Sequence, residues 1–177
     1  LSDWVKYTTE ESGSPMSDLR KTNGREKPWI AKFWGVGNEA WGCGGNMKPE
    51  YYANIYRQYA TFMTDWGNSY KLFRVASGAN VADYNWTEVL MRDIPHNMLE
   101  GVALHHYSVI DWGKKGSATA FSEEEYFKTM NAALRMEELV TRHSTIMDKY
   151  DPQKKVALVV DEWGGWYTVE PGTNPGF

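Results

Sequence analysis

At 177 residues with a formal charge of −4, the chain is about the size of one domain and long enough to bury a core. Such mild acidity gives no reason to expect nucleic acid or a membrane surface as a partner. Its single cysteine, Cys43, excludes an internal disulfide and a cysteine zinc site, and no apolar run is long enough to span a bilayer.

The unusual feature is aromatic content, with nine Trp and eleven Tyr. Most belong in a core, and the remainder suit stacking on a flat apolar ligand face such as a sugar ring. The chain opens on Leu1 and closes on Phe177 in loop-like composition, so it reads as a piece of something longer. Its compartment is not legible, with the cytoplasm as the default expectation.

In chain order, residues 1–7 read as the tail of an amphipathic helix with Trp4 and Val5 inward. Residues 8–28 are polar and rich in Ser, Thr, Gly and charge, which predicts a long surface loop. An apolar run at 30–36 predicts a buried parallel strand, ending in Gly37, Asn38 and Glu39. The glycine-rich turn at 37–45 lacks the spacing of G-x-G-x-x-G and of the Walker pattern, which excludes a phosphate loop.

Pro49 and Glu50 suit the first turn of a helix. Along it Tyr52, Ile55, Tyr56, Tyr59, Phe62, Met63 and Trp66 form one inward stripe. A second strand is predicted at 72–77, closed by Gly78. Asn85 with Glu88 resembles a capping box for a short helix that Pro95 ends.

A third strand at 101–107 turns polar in His105, His106 and Tyr107. Ser122 with Glu125 is a cleaner capping box, opening a helix that runs to about Tyr150. Its inward side carries Met130, Ala133, Met136, Val140, His143 and Met147, so His143 reads as a core histidine rather than a ligand. Asp151 and Pro152 break the helix, and a run starting at Lys155 predicts a fourth buried strand that delivers Asp161, Glu162 and Trp163. After Trp166 and Tyr167 the composition turns to Pro, Gly and Asn.

This alternation of strand and helix predicts parallel strands joined by right-handed crossovers, either a small open sheet or half of a barrel. Chemistry in such folds is built at the carboxyl ends of strands, where both Glu39 and Glu162 fall. Cleaving a glycosidic bond needs a proton for the leaving oxygen and a second carboxylate at the anomeric carbon. One such glutamate alone would read as an ion-pair or capping residue. Two in matched settings, each beside a tryptophan and after an apolar run, favour a catalytic pair.

His105 and His106 are adjacent on a strand and so point to opposite faces, which argues against a zinc site built from both. One is expected at the barrel mouth as a hydrogen-bond donor and the other packed outward. Tyr107 suits either a hydrogen bond to a catalytic carboxylate or a plain place on the rim.

Two segments carry a resemblance: Trp34-Gly35-Val36-Gly37-Asn38-Glu39-Ala40-Trp41-Gly42-Cys43-Gly44-Gly45-Asn46-Met47, and Asp161-Glu162-Trp163-Gly164-Gly165-Trp166-Tyr167. They resemble the two catalytic segments of the α-L-arabinofuranosidases of glycoside hydrolase family 51, and the likeness extends over 4–176. It implies an α/β fold in which the chain is a partial (β/α)8 TIM barrel of about four parallel strands, barrel strands four to seven. The first three strands, the eighth and a following β-sandwich would lie outside 1–177.

The resemblance further implies a retaining enzyme with Glu39 as general acid/base and Glu162 as nucleophile. Asn38 would hydrogen-bond the sugar 2-hydroxyl, Tyr107 would orient the nucleophile, and Trp41 and Trp166 would help wall the sugar site. No cofactor and no metal is implied. The partner would be a carbohydrate, an arabinofuranoside from hemicellulose or pectin side chains, and the complete protein a homo-oligomer. Half a barrel leaves sheet edges open, so the chain alone is expected to be unstable or inactive.

Two other readings stand beside this one. Another retaining barrel glycosidase with the Asn-Glu ending, such as a xylosidase or endoglucanase, is disfavoured by the extended turn at 41–47. A sugar-binding relative without turnover is disfavoured by the presence of both Glu39 and Glu162.

Overall fold

Four parallel strands form one sheet in chain order: β1 (Phe33–Val36), β2 (Phe73–Asn80), β3 (Gly101–Ser108) and β4 (Ala157–Gly165). They are joined by three helices, α3 (Pro49–Thr61), α4 (Tyr84–Asp93) and α5 (Glu123–Tyr150). A parallel sheet whose order never reverses, each strand joined to the next through a helix, is the open half of a (β/α)8 barrel. The computed structural model describes residues 1–67 and 70–172, so the last part of the Pro-, Gly- and Asn-rich end, 173–177, lies outside the described residues.

Position in the sheet decides burial. β3, an inner strand, is buried almost end to end, whereas β1 alternates and β4 is only partly covered. The expectation that the first and fourth strands are fully buried is therefore corrected: Phe33 is 70% and Trp163 71% exposed. Each lies on an edge strand. β1 also begins at Phe33 rather than Ile30, which is 83% exposed. The face of the sheet opposite Phe33 holds the core, where Trp34, Val36, Ala76, Val102 and Leu104 meet Tyr52, Tyr56, Trp86, Leu90, Leu139 and Met147, and Trp163 is exposed on that same face beyond the end of the core.

The stretch read as one long loop contains a helix. After α1 (Ser2–Thr9), α2 spans Pro15–Thr22, opened by a capping box between Ser14 and Ser17 with Pro15 in its first turn. Arg20 is fully buried, and its guanidinium donates to the carbonyls of Tyr7, Glu10, Glu11 and Glu26. One cation thereby ties the two short helices together. No apolar periodicity announces that arrangement.

α3 is shorter than its aromatic stripe suggested. Tyr52, Tyr56 and Met63 are buried, but the helix stops at Thr61, and Tyr59 and Phe62 are about half exposed. α4 is capped by Asp83, whose carboxylate accepts from the Trp86 amide at 3.0 Å, and not by Asn85. Glu88 instead pairs with Lys149 and Tyr150 of α5, each at 2.8 Å. The Ser122–Glu125 box and the end of α5 at Tyr150 fall where the sequence places them.

On α5, Leu139, His143 and Met147 are buried, while Met130 and Ala133 lie on an exposed part of the helix. His143 is a core histidine: Thr87 and the Val81 carbonyl hold its two ring nitrogens, at 2.8 and 2.7 Å. Burial pushes its pKa down, keeping the ring neutral.

Two β-bulges interrupt the ladder. Ser77 and Gly78 of β2 together oppose Ala103, and Asp161 of β4 is the extra residue between the pairs Leu104–Val160 and His105–Glu162. Gly78 is obligatory in the first, because any side chain there would run into the Ala103 carbonyl. The first lies in the carboxyl half of β2 and the second at the midpoint of β4.

Candidate active site

The turn after β1 is fastened to the first bulge. The Ala40 amide donates to the Ser77 hydroxyl at 3.0 Å, and the Trp41 indole donates to the Gly78 carbonyl at 3.1 Å. Below them the buried Tyr52 hydroxyl links the Val36 carbonyl to the Ser77 amide. Within the turn, the Glu39 carbonyl accepts from the amides of Gly42 and Gly44. Gly44 passes so close to the Asn38 carbonyl that no side chain fits there.

Glu39 itself has φ 42°, the left-handed region that an ordinary residue occupies only when its surroundings enforce it. The enforced backbone turns its carboxylate back over the ends of the strands.

Three acidic side chains converge on one imidazole. His105 of β3 places Nδ1 3.2 Å from Glu39 Oε1 and 3.5 Å from Glu162 Oε2, and Nε2 3.1 Å from Asp161 Oδ1. One oxygen each of Glu39 and Glu162 and a His105 nitrogen all lie within 4.8 Å of one another. The Tyr107 hydroxyl donates to Glu162 Oε2 at 2.9 Å, and the Cys43 thiol to Glu39 Oε2 at 3.1 Å.

The environment sorts these groups. Burial pulls the His105 pKa down, but hydrogen bonds to Asp161 and Glu39 and the nearby charge of Glu162 outweigh it, so the pKa lies above the ordinary histidine value. Burial and the Glu162 carboxylate push the Tyr107 phenol up, which keeps it a donor. The hydrogen bond to Glu39 likewise holds the Cys43 thiol above its usual range. A cation at the Glu39–His105–Glu162 spacing would need His105 Nδ1 as a bare acceptor, in competition with any hydrogen that nitrogen shares with the carboxylates.

The structure brings Glu39, Glu162 and Tyr107 together at one rim, with Asn38 exposed beside Glu39. The two tryptophans differ. Trp166 stands edge-on to Tyr107 at 5.1 Å and to Trp112 at 5.7 Å, and with Tyr107 and Tyr167 it lines a groove of about 370 Å³. Trp41 is partly buried against the core, with its indole nitrogen committed to Gly78. His106 packs outward, its ring on the Ala132 carbonyl of α5, as one of the two histidines was expected to do.

Sequence reasoning missed Asp161, Cys43 and Ser77. Consecutive residues on a regular strand point to opposite faces, so Asp161 could be found only by knowing of the bulge.

Residues 1–115 match the family model described as "Alpha-L-arabinofuranosidase 1 domain". The chain is 51% identical to an intracellular exo-α-L-arabinofuranosidase of Bacteroides ovatus, covering 99% of this chain and 34% of that protein. It is 30% identical to an intracellular exo-α-(1→5)-L-arabinofuranosidase of Bifidobacterium longum, covering 94% of this chain and 30% of the other. Among solved structures, the GH51 arabinofuranosidase of Xanthomonas axonopodis pv. citri superposes with a TM-score of 0.93 at 47% identity, over 99% of this chain and 36% of its own. The chain thus spans about a third of the length of the curated relatives it matches.

Proposed function

This chain belongs to the α-L-arabinofuranosidases of glycoside hydrolase family 51, and we propose that it is the part of such an enzyme that carries both catalytic carboxylates. In this reading 1–177 supplies barrel strands four to seven of a single (β/α)8 catalytic domain. The early strands, the eighth strand and a β-sandwich belong to the rest of the protein. The complete enzyme removes terminal α-L-arabinofuranosyl residues from hemicellulose or pectin side chains and their oligosaccharides.

One observation carries the proposal: oxygens of Glu39 and Glu162, 123 positions apart in the chain (162 − 39), lie within 4.8 Å of each other. That fits a retaining pair, whose carboxyl groups lie about 5–5.5 Å apart, and leaves no room for the water that an inverting pair holds at about 6.5–9.5 Å. Glu162 attacks the anomeric carbon while Glu39 gives its proton to the leaving oxygen, breaking the glycosidic bond and forming a glycosyl ester. Glu39 then takes a proton from water, whose oxygen displaces Glu162 and releases arabinose with its original configuration.

Tyr107 supports the assignment of roles. Its hydroxyl donates to Glu162 Oε2, holding the nucleophile's carboxylate aimed. Asn38, exposed beside Glu39, hydrogen-bonds the sugar 2-hydroxyl. Trp166 walls the site from the β4 side, and Trp41 contributes chiefly by anchoring the turn that carries Glu39.

A panel of aryl glycosides tests this reading in the complete enzyme. kcat/KM for 4-nitrophenyl α-L-arabinofuranoside should exceed that for the β-D-xylopyranoside and β-D-glucopyranoside by about 100-fold or more, because a site built to hydrogen-bond one sugar's hydroxyls strands those groups with another. Equal or faster turnover of the xyloside or glucoside would put the xylosidase or endoglucanase reading in its place.

A further inference from the structure

Asp161 is the extra residue of the β4 bulge, and the bulge gives it a partner that a regular strand would deny it. On an unbroken strand, Asp161 and Glu162 would point to opposite faces. Here both reach the same imidazole, Asp161 at Nε2 and Glu162 at Nδ1. We propose that Asp161 is a positioning residue for the catalytic pair: by accepting the Nε2 hydrogen of His105, it fixes Nδ1 as the nitrogen facing Glu39 and Glu162 and lets the ring hold a proton between them.

A carboxylate oxygen accepts, so the 3.1 Å contact with Asp161 Oδ1 is made by a hydrogen on His105 Nε2. Nδ1 then lies 3.2 Å from Glu39 and 3.5 Å from Glu162, and a proton there is shared with the residue assigned as acid/base. The ring is 5% exposed, so its orientation is set by these partners rather than by water.

Among the described residues, the titratable groups in contact with this ring come from two elements besides its own strand. From the turn after β1 comes Glu39, with Cys43 behind it on Oε2, and from β4 come Asp161 and Glu162. Tyr107 lies on the same strand as His105 and reaches Glu162. From the turn after β2, the contact is the Val81 amide, which donates to the His105 backbone carbonyl. The proposal rests on the assignment of Glu39 and Glu162 as the catalytic pair.

The test is Asp161→Asn in the complete enzyme, which keeps the shape and the acceptor oxygen but removes the charge. With histidine ring carbons labelled, the NMR titration midpoint of His105 should fall by about one pH unit or more, as expected when an opposite charge is removed at this distance. The alkaline limb of the kcat/KM profile should move toward acid with it, while Asp161→Glu, which keeps the charge, should restore both. A merely structural role would lower activity without moving either, and the inference fails if the midpoint or the limb stays where it is in the wild type. The ring titration uses no substrate, so it tests the coupling even if the complete enzyme hydrolyses no glycoside, a result that would sink the glycosidase reading alone.

Discussion

Glu162→Ala in the complete enzyme is expected to lower kcat for 4-nitrophenyl α-L-arabinofuranoside by about 10⁴-fold or more, the scale on which removing a covalent nucleophile acts. The geometry explains why so little should remain. Tyr107 and His105 are both arranged around the Glu162 carboxylate, at 2.9 and 3.5 Å, and neither can take its place. Truncation to alanine opens a space beside the anomeric carbon while leaving Glu39 able to protonate the leaving group. Azide should enter that space, restore turnover and yield the β-L-arabinofuranosyl azide, with configuration inverted because a single displacement replaces two. Glu162→Gln fills the same space and should not be rescued. Loss of activity without azide rescue would assign Glu162 a binding or folding role instead.

Glu39→Ala is expected to behave differently according to the leaving group. With substrates whose leaving oxygen needs a proton, such as arabino-oligosaccharides, kcat/KM should fall by about 10²–10⁴-fold, the usual contribution of a positioned acid. With 2,4-dinitrophenyl α-L-arabinofuranoside, whose leaving group departs unaided, the first step should survive. The second step then lacks its base, and a burst of dinitrophenol followed by a slow steady state should appear. Azide added to this variant should give the retained α-azide, the opposite outcome from Glu162→Ala. An equal loss for both leaving groups would take the acid/base role away from Glu39. The backbone sharpens the comparison, since alanine inherits the same left-handed φ of 42° that Glu39 occupies. Unfolding midpoints measured alongside will separate strain from chemistry.

What the sequence revealed and what it hid divide along physical lines. Apolar runs located all four strands, and the reading of 101–107 missed only Ser108, because β3 is buried on both faces and its hydrophobicity is continuous. The edges were misjudged for the complementary reason: the apolar residues of β1 and β4 look like core in sequence, but in this chain one face of β1 and parts of both faces of β4 are uncovered. Capping was legible at Ser122–Glu125, where both partners follow the reciprocal pattern. It misled at Asn85–Glu88, because Asp83 caps α4 and Glu88 is drawn to Lys149 and Tyr150 on another helix. α2 went unseen because its buried anchor is an arginine held by carbonyls rather than an apolar stripe.

At the candidate site, strand ends pointed to Glu39 and Glu162, and alternation along β3 separated His105 from His106. The tertiary bonds were beyond reach. Ser77 holds the turn after β1 from 37 positions away, and Asp161 meets His105 only because a bulge breaks the two-residue period. Bulges leave no mark in hydrophobic pattern, yet here they place both the turn that carries Glu39 and the acceptor that orients His105.

The account turns on whether two carboxylates less than a sugar's width apart act one after the other on the same carbon. The configuration of the first arabinose released settles it. A proton NMR spectrum recorded in the opening minutes of hydrolysis of an aryl α-L-arabinofuranoside by the complete enzyme, before the anomers equilibrate, should show the α-anomer first. Initial appearance of the β-anomer would mean a single displacement by water, and the assignment of Glu162 as nucleophile would be contradicted.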